Sequence, residues 1–364
     1  MTKDRLLLVA KILGIIGALY LFIVGIGAMS HAFKLFGADF SKKVLTLTSV
    51  PFVGLFIGIL STAIVQSSST TTSIIVGMVA GGAISIEGAI FMVMGANIGT
   101  TITNLLVSLG HITRSIEFKR AFAAATIHDF FNWITVLVLF ALELATGMLA
   151  RLSHVLAGWF EGVGGMKLSD PLKAATTPTI KFLSELVANK PVVLLVIAVL
   201  ITFAMLWALV KILRSLVLKK VESFFDEFLF KNAARAMFFG MVLTVAVQSS
   251  SITTSLVIPL AGAGIVRLAQ VFPYTMGANV GTTITAILAA LATGKEAAIT
   301  VAFAHTLFNL LGILIIWPIP QIRAIPVRLS EWMADVSTRN RLIPFAFIIS
   351  VFFVIPLVLI FIFK

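Results

Sequence analysis

Residues Gln66 to Ser73 read Q-S-S-S-T-T-T-S. They are eight consecutive hydrogen-bonding side chains inside a run otherwise made of Ile, Leu, Val, Ala, Gly and Phe. Hydroxyls and a carboxamide can donate to an anion, and their oxygens are hard ligands that suit sodium. The tract returns at Gln248 as Q-S-S-S-I-T-T-S. A second pattern follows each tract at the same interval: G-A-N-I-G-T-T-I-T from Gly95, and G-A-N-V-G-T-T-I-T from Gly277. Here Asn97 and Asn279 offer donors and an acceptor. Thr100 and Thr103, like Thr282 and Thr285, lie three apart and share one helical face, so each pair can present two oxygens to one ion. A third pattern, His128-Asp129-Phe130-Phe131-Asn132, aligns with His305-Thr306-Leu307-Phe308-Asn309. Asp129 is an ionisable group within an apolar span, and such groups mark function by default.

Less specific readings stand beside these. Ser and Thr in membrane helices bond back to their own backbone or pack small faces together. Gly95 and Gly99, and Gly277 and Gly281, form G-x-x-x-G pairs that serve as packing seams. Asp129 has a candidate partner in Arg120, earlier on the same span, as an alternative to a cation. His128, His305, Asn132 and Asn309 are the residue types that bond helices together. A serine hydrolase would need a base beside one serine, with His128 or Asp129 available; the duplicated tract marks no single nucleophile.

The elements that carry these residues are membrane spans. The chain has 364 residues, 59% hydrophobic and 12% charged, against roughly 25% charged in soluble domains. With no cysteine, disulfides and thiolate chemistry are excluded. The net charge of +12 fits short basic loops beside spans better than nucleic acid. Apolar runs long enough to cross cover 6–29, 86–109, 118–147, 192–218, 269–292, 297–318 and 342–363. The first is read as a retained span rather than a cleaved leader. Two further runs, 48–82 and 236–265, are each interrupted by a Q-S-S-S tract. Each half is too short to cross, so both are expected to be re-entrant hairpins with polar tips. The segment 219–235 alternates charge with Phe and is expected as an interfacial helix.

A shift of 182 residues superposes the chain on itself. Thr62–Ile74 meets Thr244–Leu256 with 9 identities in 13, and Gly95–Thr103 meets Gly277–Thr285 with 8 in 9. Each copy holds one full span, one hairpin and two more spans. Three crossings is an odd number, so the second copy is expected upside down, as in secondary transporters with broken helices meeting at mid-membrane. The expected fold is all-α, with two inverted repeats, each with a re-entrant hairpin and a broken helix, plus one C-terminal span. Its parts are 1–147 as the first repeat, 148–190 as an extracytoplasmic linker, 191–320 as the second repeat, and 321–364 as a basic loop and last span. With the N-terminus inside, 17 Lys and Arg fall inside and 10 outside, in accord with the positive-inside rule.

At the half-helix tips, N-terminal amides favour an anion and C-terminal carbonyls favour a cation. No Arg or Lys lies within either motif, so a bound anion needs cations travelling with it. The substrate candidates are Ser67, Ser68, Ser69, Ser249, Ser250, Ser251, Asn97 and Asn279. The sodium candidates are Gln66, Thr100, Thr103, Gln248, Thr282, Thr285 and Asp129.

The duplicated tracts, the G-A-N motif after each, and R-A-F-A-A-A-T-I-H-D-F-F-N-W from Arg120 to Trp133 resemble the type II sodium-dependent phosphate cotransporters. His305–Trp317 is similar too. The resemblance spans essentially the whole chain from about residue 10. It implies an inverted-repeat carrier importing inorganic phosphate with sodium by alternating access. Both tracts would serve the substrate and sodium sites, with no cofactor beyond the coupling ions. An Asp at the position of Asp129 implies an extra sodium and electrogenic transport. Residues 148–190 lack the Cys and N-x-S/T sites that animal members carry there, and the chain stops after its last span without a regulatory tail. A bacterial inner-membrane protein, multi-pass, with phosphate, sodium and the bilayer as partners and room for a homodimer, is therefore expected. Other oxyanions, sulfate or arsenate, are the nearest alternative; an ion channel is a further one.

Overall fold

The computed structural model describes residues 3–163, 169–221 and 232–363. Among them the fold is all helix. The N-terminal half runs α1 (Lys3–Leu35), α2 (Ala38–Thr48), α3 (Pro51–Val65), α4 (Ser68–Gly81), α5 (Ile86–Gly99), α6 (Ile102–Leu109), α7 (Ser115–Thr146), α8 (Met148–Gly162) and α9 (Ser169–Leu186). Then come α10 (Pro191–Val221), α11 (Ala233–Val247), α12 (Ser250–Gly262), α13 (Leu268–Thr293), α14 (Glu296–Ile316), α15 (Pro320–Arg339), α16 (Ile343–Ile349) and α17 (Ile355–Phe363). A π-helical turn at Ser350–Val354 joins the last two. Pro356, one turn further on, has no amide to give the ladder, which is an ordinary cause of such a bulge.

Among the described residues, seven helical stretches are long and apolar enough to cross a membrane, and all seven coincide with the expected runs. This is a multi-pass membrane protein. The most apolar 18 residues of Ile86–Leu109 are 83% buried inside the protein, and those of Ile343–Phe363 only 17%. The G-A-N helices α5, α6 and α13, with α7 and α14, therefore form the centre. α1, α10 and the C-terminal helices form a lipid-facing periphery. α1 lies along α10, with Gly25 against Thr202.

The interrupted runs fold as two short-helix pairs, α3–α4 and α11–α12. Each pair packs on the G-A-N helix that follows it through the same glycine seam. A Cβ on Gly58 would stand 2.0 Å from the Met92 carbonyl oxygen, and one on Gly95 would stand 1.9 Å from that of Leu55. At the positions 182 later, a Cβ on Gly240 would stand 2.1 Å from the Tyr274 carbonyl oxygen, and one on Gly277 would stand 1.8 Å from that of Met237. Backbone touches backbone, which only glycine permits. The packing-seam reading of these glycines holds. The obstructing atoms are main-chain, so the helices themselves must part to admit a methyl group. Gly277→Ala is accordingly expected to destabilise by roughly 1–3 kcal/mol, at the upper end of that range, read as a lowered unfolding midpoint in detergent.

Two expectations are corrected. The second G-A-N helix is not broken: α13 runs uninterrupted from Leu268 to Thr293. In the first copy, α5 gives way to α6 at Thr100–Thr101, where the amides of Thr101 and Asn104 bond three residues back. The copies differ at the residue facing this turn. Thr101 Oγ1 donates to Asp129 at 2.7 Å, whereas Thr306 replaces that carboxylate in the second copy. The second correction concerns the basic loop after residue 320, which is a helix, α15. Pro320 starts it in the first turn, where proline is tolerated. A narrow seam of Pro326, Ser330, Met333, Ala334 and Ser337 is buried, and α15 lies along α7. Five charged side chains conceal that seam from a hydropathy reading.

The linker after α7 is largely helical. Glu143, in the last turn of α7, accepts the amides of Leu149 at 2.6 Å and Ala150 at 3.2 Å, which caps α8. The middle of the expected interfacial helix over 219–235, residues 222–231, lies outside the described residues.

Candidate functional site

Each short-helix pair turns on two residues. Gln66 ends α3 with φ 56°, and Ser67 begins α4 in extended conformation. Gln248 and Ser249 repeat this, with φ 57° at Gln248. A left-handed residue ends a helix so that the next can start at once. Glycine takes that position without strain, and a side chain costs about 1–2 kcal/mol there. Both copies bear this cost to hold a carboxamide at the tip. Ser67 Oγ then caps α4 by accepting the Thr70 amide at 3.3 Å, and Ser249 Oγ caps α12 from Ile252 at 3.3 Å.

The two tips meet. Ser251 Oγ lies 3.4 Å from the Gln66 carbonyl oxygen and 3.4 Å from Thr100 Oγ1, which is also 3.2 Å from Ser68 Oγ. A cavity of about 470 Å³ opens at this junction. Its polar lining is Gln66, Ser67, Thr70, Thr103, Ser249, Ser251 and Ser255, and no charged side chain is among it. The opposite wall is apolar, from Phe203, Leu206, Trp207 and Val210 of α10. Two helix N-termini and two helix C-termini abut this space, so partial charges of both signs are at hand.

The carboxamides differ between copies. Gln248 is buried; its Oε1 accepts from Thr285 Oγ1 at 2.9 Å and its Nε2 donates to the Val245 carbonyl at 2.7 Å. Gln66 is exposed to the cavity, and its counterpart threonine, Thr103, has a buried hydroxyl with no partner among the described residues. Thr62 and Thr244, equivalent by the repeat, are unpartnered in the same way. Unsatisfied oxygens at these tips are consistent with ligands for a small cation. No cluster of three or more His, Cys, Asp or Glu is present among the described residues.

Other expected site residues lie elsewhere. Ser69 and Ser250 are buried in the first turns of their helices. Thr282 Oγ1 bonds back to Ala278 at 3.2 Å, and Thr71, Thr72 and Ser73 bond back likewise, as the bland reading of hydroxyls in helices has it. Asn97 and Asn279 are not brought to the cavity. They belong to a buried polar chain that links both halves. Thr254 and Ser255 donate to Asn104 Oδ1 at 2.9 and 3.2 Å. Asn104 Nδ2 is 3.1 Å from His128 Nδ1, and His128 Nε2 is 2.7 Å from Asn279 Oδ1. Asn279 donates to Asn132 Oδ1 at 2.9 Å, Asn132 to the Asn97 carbonyl at 2.5 Å, and Asn309 to Asn97 Oδ1 at 3.2 Å. An amide oxygen only accepts, so His128 Nε2 carries the proton and Nδ1 receives one from Asn104. His128, Asn132 and Asn309 thus brace helices. His305 has neither ring nitrogen partnered among the described residues.

Asp129 is fully buried, with Oδ1 held by Thr101 and Oδ2 unpartnered. No ion pair with Arg120 is found; Arg120 lies at the protein surface near Gly264. Asn104, Ser255, Thr70 and the α10 wall were not among the sequence candidates. Asn104 directly follows the first G-A-N motif, with Ala286 opposite it in the second copy, so no repeat identity drew attention to it. An apolar wall has no signature that separates it from any other span.

A helical membrane protein with two duplicated polar tips meeting at one shared cavity has the form of a solute carrier. The sequence model of the Na+/Pi-cotransporter family matches residues 21–168 and 200–316, and the chain belongs to that family, whose members are transporters rather than enzymes. It is 32% identical to sodium-dependent phosphate transport protein 2B of Homo sapiens over 98% of this chain and 66% of that protein. It is 33% identical to protein 2A of Rattus norvegicus over 94% of this chain and 66% of that one. The chain thus spans just under two thirds of these relatives' length. No solved structure matches it.

Proposed function

We propose that this chain is a sodium-coupled importer of inorganic phosphate. The two halves are inverted repeats and the helix pairs α3–α4 and α11–α12 are re-entrant, so their tips meet within the membrane and access alternates from side to side. The N-terminus lies in the cytoplasm of a bacterial inner-membrane protein. The observation that carries the reading is the meeting of the Gln66 and Ser251 tips over a cavity rich in hydroxyls and free of charged side chains. Such a cavity suits an oxyanion only if cations enter with it, because an uncompensated charge there is expensive. Ser67, Ser249 and Ser251 would donate to phosphate. Gln66 and Thr103, with Gln248 and Thr285 in the other copy, would hold sodium through their oxygens.

Labelled-phosphate uptake by purified protein in liposomes tests this. Accumulation should require an inward sodium gradient and saturate with phosphate. Uptake indifferent to sodium, or competed away equally by sulfate, would overturn it.

The strained tip offers a sharper test. Gln66→Gly relieves the left-handed residue and should raise stability by about 0.5–1 kcal/mol while raising the sodium concentration needed for half-maximal uptake. A variant both less stable and unchanged in sodium dependence would show that the carboxamide serves the fold alone.

A further inference from the structure

A second cavity, of about 620 Å³, lies where the start of α7, the α12–α13 turn and α15 come together. Lys119, Arg120, Arg267 and Glu331 line it, with Ser115 and Thr338. It shares no lining residue with the serine cavity. α12 separates the two, with Ser250 at one end and Gly262 at the other, roughly 20 Å at 1.5 Å per residue.

Its electrostatics favour an anion. Lys119 is paired with Asp335, but no carboxylate pairs with Arg120 or Arg267 among the described residues. The turn is shaped around Arg120: a Cβ on Gly264, where φ is +80°, would stand 2.5 Å from Arg120 Nη1. Arg341 donates to Ser115 Oγ at 2.6 Å and its Nη1 is buried without a partner among the described residues. The first residues of two long helices, Ser115 and Leu268, also line the space, and their positive ends add to the field. Glu331 is the one carboxylate in the lining. An apolar rim adjoins it: Ile116 is 70% exposed and Ile265 66%.

We infer that this cavity binds a phosphate group between the guanidinium forks of Arg120 and Arg267, whose planar donors match phosphate oxygens. Two carriers present that group. An anionic lipid would lay its chains along Ile116 and Ile265, and free inorganic phosphate would enter from the aqueous side. The inference does not depend on what the serine cavity transports.

The test uses purified protein in sodium-free detergent solution. One arm titrates phosphatidylglycerol against phosphatidylcholine by native mass spectrometry; the other measures labelled inorganic phosphate by equilibrium dialysis. In at least one arm, Arg120→Gln and Arg267→Gln should each weaken binding about tenfold or more, the scale of a lost hydrogen bond to a charged group. Glu331→Gln should tighten it. Misfolding cannot produce that opposite sign. An arginine-dependent lipid arm assigns the site to headgroups, an arginine-dependent dialysis arm to free phosphate, and both together to either carrier. If neither probe binds the wild type, or binding ignores all three substitutions, the inference is wrong.

Discussion

Asp129→Gly should uncouple phosphate uptake from membrane voltage while leaving it dependent on sodium. In liposomes carrying a potassium diffusion potential of about 100 mV, negative inside, one net positive charge per cycle is worth about 2.3 kcal/mol. That corresponds to roughly a fiftyfold difference in the accumulation the potential can support. The wild-type protein should show this dependence and the variant none. The argument rests on the carboxylate's surroundings. Asp129 has no exposure, a single donor from Thr101, and a second oxygen without a partner. A charge held this deep is costly unless a cation sits against it. The second copy has Thr306 instead, whose hydroxyl bonds back to Ala302 at 3.2 Å, so only the first half carries a carboxylate at this position. Glycine in mid-helix costs about 1 kcal/mol, and the unfolding midpoint should be compared alongside. Asp129→Asn keeps the volume and the helix and should give the same voltage independence. Unchanged voltage dependence in both variants would remove Asp129 from the coupling mechanism.

The asymmetry at Asp129 extends to what the sequence could disclose. The seven crossings were legible because a bilayer demands continuous apolar length. The two tips were legible because eight polar side chains in a row have few other uses in such a chain. The shift of 182 residues proved physical down to single contacts, with Gly95 on Leu55 and Gly277 on Met237 in one geometry. What stayed hidden depends on differences between the copies or on partners remote in sequence. The break after Gly99 is absent after Gly281 although the motifs are nearly identical, and the residue that differs, Asp129 against Thr306, lies 28 residues beyond Thr101. Asn97 and Asn279 have the right groups to bind a substrate. Only the fold reveals that their donors and acceptors are taken by Val93, Asn309, His128 and Asn132. The wall supplied by α10 consists of ordinary span residues and becomes part of the site by position alone.

His128→Leu should be among the most destabilising single changes in the protein. His128 joins the two repeats by accepting from Asn104 and donating to Asn279, both buried. Leucine keeps much of the volume but strands an amide hydrogen on one side and an amide oxygen on the other. Each buried orphan costs about 1–3 kcal/mol, so the loss should reach roughly 2–6 kcal/mol. Interhelical hydrogen bonds in membrane proteins average only about 0.6 kcal/mol, because unfolded segments within the bilayer find other partners. That figure describes removal of a bond, not the stranding of two groups in a packed interior, and the stranding term dominates here. The distinction is measurable. In a double-mutant cycle with Asn279→Leu, the second substitution should cost less once His128 is gone, with a coupling of about 1–2 kcal/mol. Strictly additive losses would mean the two side chains do not interact. The chain of bonds from Ser255 on one tip helix to Asn97 on the opposite G-A-N helix would then be packing without coupling. If the coupling is found, the same variant should also slow phosphate uptake, since this polar chain begins at Ser255 in the cavity lining and runs through both halves.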